Sequence, residues 1–246
     1  MADYIDLELI SPWLNAAGTL GFAPAAEGWN FSEQAGGFVT NPVSAAPRSP
    51  AEARAVLEYP GGALLHSGLP NPGLNAVVRK YGERWARSTL PVWVHLLADS
   101  PDDIHRMALA LEGLEGVAAI EVGIPAGAAP ELALGLVAAA VGELPVVASL
   151  ALSSAGEAWL KELPGLGARG ICLGAPRGTL LRSGHPVSGR LAGPGLYPQV
   201  LAALRALVPL GLPVVAGCGV YSPAAGRELL AQGAAAVQLD TVLWLT

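Results

Sequence analysis

The feature that most constrains the fold is a regular alternation between Pro91 and Leu239. Short apolar runs at Pro91–Leu97, Val117–Val122, Leu144–Leu150, Gly170–Leu173, Leu212–Gly217 and Ala234–Leu239 are separated by stretches of helical spacing. The runs lack polar alternation, as strands covered on both faces do. Ser100-Pro101-Asp102-Asp103 opens one helix, with Ser as N-cap, Pro at the first helical position and acids at the positive end of the helix dipole. Further helices are predicted over Pro130–Val141, Ala155–Leu163, Leu196–Val208 and Ser222–Gln232, the last capped by Gly233. Upstream, Trp13–Ala17 and Gly36–Thr40 read as two more strands, and Leu74–Arg87 as a helix. Pro42–Pro50 and the Gly/Pro-rich Gly61–Gly73 read as loops, and Ala51–Leu57 as a short helix. Eight strands alternating with helices predict a (β/α)8 barrel of the TIM type, a single domain over residues 1–246. A doubly wound open sheet is the rival. Against it, neither the first nor the last strand shows an edge-type polar alternation.

Composition narrows the partners. Charged residues are 14% of the 246, hydrophobic residues 52%, and the net charge is -6. Lys occurs only at Lys80 and Lys161 and the Arg residues are scattered, so no nucleic-acid surface is expected. Mean hydropathy is +0.45. Yet the apolar runs are broken, as by Glu143 and Pro145 within 132–152, and fall short of the roughly 18 residues a membrane span needs. The start, MADYIDLEL, carries acids where a secretory leader has basic residues. Cys172 and Cys218 have no CxxC spacing and read as reduced core thiols of a cytoplasmic protein. A closing helix is expected to be missing or reduced after the last strand, which would uncover Val242, Leu243 and Trp244. Either a preceding helix or the N-terminus covers that flank, or it meets a second copy or a partner subunit.

Four segments carry a family resemblance. They are Asn15-Ala-Ala-Gly-Thr-Leu-Gly21, Gly37-Phe-Val-Thr40, Gly68-Leu-Pro-Asn-Pro-Gly73 and Ala234-Ala-Ala-Val-Gln-Leu-Asp-Thr241. In this order and spacing the chain resembles, over nearly its whole length, the class 1 dihydroorotate dehydrogenases, cytosolic FMN enzymes of pyrimidine synthesis. The resemblance implies a flavin across the barrel mouth, its phosphate in a cup of backbone N–H groups after the last two strands. It also implies a Cys or Ser base that takes a proton from dihydroorotate while a hydride passes to the flavin. Matched residue by residue, the flavin positions fall on Ala17, Gly18, Asn41, His95, Gly123, Ser149, Gly193, Gly219, Asp240 and Thr241. The substrate positions fall on His66, Ser67, Gly68, Leu69 and Ala175.

Many of the chemical residues are replaced. The base position is Ala126, which accepts no proton. Asn41 and Ser149 stand where the family has Lys, His95 where it has Asn, and Gly123 where it has the Asn of an E-x-N stretch. The sixth-strand Asn-Thr pair is Ala175-Pro176. In the phosphate cup Cys218 and Asp240 replace glycines, and Arg190 replaces a glycine of the GG-x-SG stretch. A carboxylate about 4 Å from a phosphate is opposed by about 4 kcal/mol at an effective dielectric of about 20. The scaffold is kept and the chemistry is not. This favours a divergent paralogue that serves as a binding or partner subunit, with a small-molecule ligand at the mouth. The other reading is an active FMN oxidoreductase on dihydroorotate or a related small ring.

The polar residues left near the mouth bear two readings each. His66, His95 and Asp240 suffice in number for a divalent-ion or acid/base site, but their spacing is long, and filling of an emptied pocket is the simpler reading; no metal is assigned. Arg177, Arg182, His185 and Arg190 are either a solvated loop or an anion site. Glu121 is either a structural partner inside the barrel or a general base.

Overall fold

The computed structural model describes residues 7, 9–25, 29, 31–52 and 55–245. In chain order the elements are β1 (Trp13–Asn15), β2 (Phe38–Val39), β3 (Val43–Ser44), β4 (Ala55–Tyr59), β5 (Gly62–His66), α1 (Leu74–Ala86), β6 (Val92–Leu97) and α2 (Pro101–Leu111). There follow β7 (Val117–Gly123), α3 (Pro130–Ala140), β8 (Val146–Ala151), α4 (Leu163–Leu166), β9 (Gly170–Gly174), β10 (Arg177–Arg182) and β11 (His185–Ala192). The chain continues through α5 (Tyr197–Leu207), β12 (Val214–Ala216), α6 (Pro223–Ala231) and β13 (Ala236–Leu239).

Parallel strands run in the order β1-β13-β12-β9-β8-β7-β6-β2, and a parallel bridge between Leu14 and Gly37 joins the two ends. Eight strands thus form a nearly closed barrel of the (β/α)8 type, as the alternating pattern predicts. The open-sheet alternative falls with that bridge. Successive strand residues point to opposite faces. On β6, Val92, Val94 and Leu96 therefore join the core beneath the helices, while Trp93 joins Leu14, Val39, Ala119, Val147, Cys172, Val215 and Ala236 inside the barrel. These residues plug its lower half. The next inward layer is polar, and it forms the floor of the mouth.

A second sheet was not predicted. β4, β5, β11 and β10 form a four-stranded antiparallel layer in the order β10-β11-β5-β4. It replaces the short helix expected over Ala51–Leu57 and part of the loop expected over Gly61–Gly73; residues 53–54 lie outside the described set. β10 and β11 meet in a two-residue hairpin, Arg182 opposite His185, with Ser183 at φ 50° and Gly184 at φ 80°. Paired positive φ values suit the right-handed twist of the flanking strands. Gly62 lets the β4–β5 hairpin lie on β11: a Cβ there would sit 2.1 Å from the Ala192 carbonyl oxygen.

The predicted stretch Ala155–Leu163 is a 3-10 turn at Ala158–Glu162 followed by the single helical turn α4. After β13 the chain makes only a 3-10 turn at Thr241–Trp244. Val242 and Leu243 are each 8% exposed, contrary to the uncovered flank expected, whereas Trp244 is 46% exposed. The Trp244 indole N–H donates to the Thr19 carbonyl at 2.9 Å, so the N-terminal loop holds it. Both cysteines are buried and free. Among the described residues, no helix is long and apolar enough to cross a membrane.

The helix starts read from sequence are made as expected. Ser100 Oγ accepts from the Asp103 N–H and Ser222 Oγ from the Ala225 N–H, each at 3.2 Å. Ser100→Ala and Ser222→Ala are each expected to lower unfolding free energy by about 1 kcal/mol in urea titrations. No change in either would show that the caps are energetically idle.

Candidate functional site

A cavity of about 980 Å³ opens at the C-terminal ends of the barrel strands, between the barrel and the antiparallel layer. Barrel enzymes place their chemistry at this face. Of the expected flavin positions, Ala17, Gly18, Asn41, His95, Gly123, Ser149 and Asp240 line the cavity. Of the substrate positions, His66, Ser67, Leu69 and Ala175 do, as does Ala126. Gly68, Gly193, Gly219 and Thr241 do not line it. Backbone packs on two of these: a Cβ on Gly193 would lie 2.2 Å from the Gly61 oxygen, and one on Gly219 2.7 Å from the Tyr197 nitrogen. The Thr241 hydroxyl is hydrogen-bonded to the Tyr221 hydroxyl.

The floor is a buried hydrogen-bonded chain. β6 and β7 pair in a register that sets His95 opposite Glu121. His95 Nδ1–H donates to Glu121 Oε1 at 2.9 Å, and Gln238 Nε2–H donates to Oε2 at 2.8 Å. The Cys172 thiol donates to Gln238 Oε1 at 3.1 Å. Glu121 is 1% exposed. Burial opposes its charge, but hydrogen bonds from His95, Ser149 and Gln238 outweigh burial and hold the carboxyl below its usual 4.5.

The far wall holds a second pair. Arg190 Nη1 lies 2.9 Å from both carboxylate oxygens of Asp240. Asp240 is 3% exposed. Burial pushes the Asp240 carboxyl up, and Arg190 only partly offsets this. Cys218, which lines the same cavity, is buried at φ 59°, a left-handed backbone that glycine tolerates better. Burial, with the Asp240 charge, pushes its thiol well up.

The sequence groupings divide accordingly. His66, His95 and Asp240 all line the cavity but bind apart: His66 Nδ1–H donates to the Ser188 carbonyl at 2.7 Å, His95 holds Glu121 and Asp240 holds Arg190. Among the described residues, no group of three His, Cys, Asp or Glu side chains is placed to hold a metal ion. Arg177 and Arg190 reach the cavity, whereas Arg182 and His185 lie exposed at the far end of their hairpin. Sequence reasoning missed Arg48 and Asp99 at the rim, Gln238 in the floor and Trp244 at the edge. A Ser-Gly pair between two extended runs was the available signal for the β10–β11 hairpin.

Fold and cavity define a (β/α)8 barrel with an open cavity at its mouth. No protein-family model matches the chain. Among curated proteins it is 31% identical over 260 residues to the dihydroorotate dehydrogenase B (NAD(+)) catalytic subunit of Desulforudis audaxviator, covering 96% of this chain and 83% of that one. It is 30% identical to the corresponding subunit of Maridesulfovibrio salexigens, over 97% and 86% of the two chains. Among solved structures, the dihydroorotate dehydrogenase of Eimeria tenella in complex with ferulenol superposes at a TM-score of 0.68, with 14% identity, over 95% of this chain and 76% of that one. The chain belongs to the dihydroorotate dehydrogenase family.

The depressed Glu121 carboxyl gives a signed pH dependence. Folded Glu121 is harder to protonate than in the unfolded chain, so its contribution is present above pH 4.5 and is lost as pH falls through the lower folded value. Glu121→Gln is expected to unfold about 1–3 kcal/mol more easily than wild type at neutral pH. That margin should narrow in urea melts below pH 4.5. A margin that widens on acidification would contradict the assignment.

Proposed function

We propose that this chain is a divergent member of its family that has left the oxidation of dihydroorotate behind. In this reading it binds a small molecule at the barrel mouth and acts as a binding or partner subunit. The observation that carries the reading is the Asp240–Arg190 pair. The family resemblance implies a flavin phosphate among backbone N–H groups at this wall. Here the Asp240 carboxylate stands at this wall with the Arg190 guanidinium on both its oxygens. The cup carries its own anion. Arg190 neutralises that carboxylate, so a phosphate is kept out by the space the pair fills and by the donor it has already taken, not by net repulsion. The residues present do not fit flavin mononucleotide in the family's manner.

Two further observations support the reading. Ala126 lines the cavity at the family's base position and has no group to accept a proton. Asn41 and Ser149 line it where the resemblance places two lysines, so no fixed cation stands there to hold a reduced flavin or a carboxylate. Asn41 Oδ1 instead accepts from the Gly21 N–H at 3.1 Å, as a brace for the loop. One observation favours the alternative, an active flavin oxidoreductase: the cavity of about 980 Å³ is spacious enough for a ligand with several fused rings.

The test is the visible absorption of the purified protein with added FMN. No flavin band is expected to stay with wild type through gel filtration. The double variant Asp240→Gly/Arg190→Gly, which restores the two family glycines, is expected to gain FMN affinity by about tenfold to a hundredfold, the worth of one charge-assisted hydrogen bond in the cleared cup. A near-stoichiometric flavin band on wild type would overturn the reading.

A further inference from the structure

The floor of the cavity contains a group that the loss of the family base does not explain. His95 Nδ1–H is committed to Glu121, so the imidazole presents its lone pair at Nε2. No group among the described residues bonds to Nε2, nor is Nε2 among the buried polar atoms that lack a partner. The nitrogen therefore borders open space. That space is the cavity, which His95, Glu121 and Gly123 all line. Gly123 keeps the approach clear: a Cβ there would fall 2.6 Å from Nε2. A residue of any other type at position 123 would close the nitrogen off.

The ring is held on more than one side. The backbone N–H of His95 donates to Thr40 Oγ1 at 3.1 Å, and Thr40 is fully buried. The Glu121 carboxylate is fixed in turn by Gln238, and Gln238 by Cys172. A buried carboxylate on one imidazole nitrogen, with the other facing a cavity, is the arrangement that makes histidine a proton acceptor. The carboxylate selects the tautomer and stabilises the imidazolium that forms. His95 and Glu121 stand on adjacent barrel strands, a rigid frame for such a pair.

We propose that His95, positioned by Glu121, is a general base at the floor of the mouth. It would act on a small molecule that carries an acidic C–H or N–H and enters with that edge downward. Arg48 and Arg177 line the same cavity and suit an anionic substituent on such a ligand. The proton leaves the ligand for Nε2, its bonding pair stays on the ligand, and the imidazolium–carboxylate pair returns the proton to ligand or solvent. This base is on β6, not on the loop at Ala126, so it is a new acid/base site and not the family's. It rests on the open cavity and holds whether or not flavin binds.

A generic carbon acid tests it. With 5-nitrobenzisoxazole, removal of the C3 proton by Nε2 forms the nitrile, breaks the N–O bond and releases a coloured phenolate. Saturable turnover is expected from wild type, falling roughly 100-fold in His95→Gln, the lower end for a positioned base. His95→Gln keeps a donor for Glu121, which guards against a folding defect. Glu121→Gln should lower kcat more than it raises KM. In nitrogen-15 NMR it should also lose the Nδ1–H tautomer of His95 that wild type shows, a signature no purely structural role for Glu121 requires. Turnover no faster than buffer, equal turnover in His95→Gln, or an Nε2–H tautomer in wild type would each overturn the proposal. A flavin band on the protein would count against the proposed function and leave this result untouched.

Discussion

Two buried carboxylates organise the mouth of this barrel. A carboxylate taken out of water must find its counter-charges and donors inside the protein, or give up its charge. Glu121 finds them in its own layer: His95 on the next strand, Gln238 across the barrel and Ser149 beside it. Asp240 finds them in Arg190, which reaches in from the antiparallel layer. The first arrangement makes a stiff polar floor with one imidazole nitrogen facing the cavity. The second closes the far wall with a neutral pair. What the cavity can hold is set by the space between them.

The parallel barrel was legible in the sequence because its signal is local. Strands buried on both faces need continuous apolar runs, and Val117–Val122 or Leu144–Leu150 admit no other reading at that length. The caps at Ser100 and Ser222 are equally local, since each is decided within three residues. The antiparallel layer was not legible in the same way. β4 and β5 are short strands beside Pro60-Gly61, and β11 pairs with β5 across more than a hundred residues of chain. Their glycines read as loop, although Gly62 and Gly189 are there because neighbouring backbone leaves no room for a side chain.

The site was half legible. The sequence identifies which residues stand at the mouth, because family spacing carries them, and Asn41, His95, Ser149 and Asp240 all line the cavity. It does not identify whom each residue meets. Asp240 alone reads as a charge repelling a phosphate; paired with Arg190 it becomes a neutral plug, since the two family glycines are replaced by opposite charges that meet in space. In the sequence His95 reads as a polar residue filling an emptied pocket, or as a partner of the distant His66 and Asp240, until the β6–β7 register puts Glu121 beside it. That register includes a shift between Val92 and Trp93, which no periodicity announces.

The central claim is that the protein's own carboxylate occupies the phosphate cup. Its most direct test is a crystal structure grown in high phosphate and soaked with FMN. The account predicts Arg190 still on both carboxylate oxygens of Asp240, with no phosphate group between them. A phosphate on the Thr241 and Gly219 amides, with Asp240 turned out to solvent and Arg190 released, would contradict it.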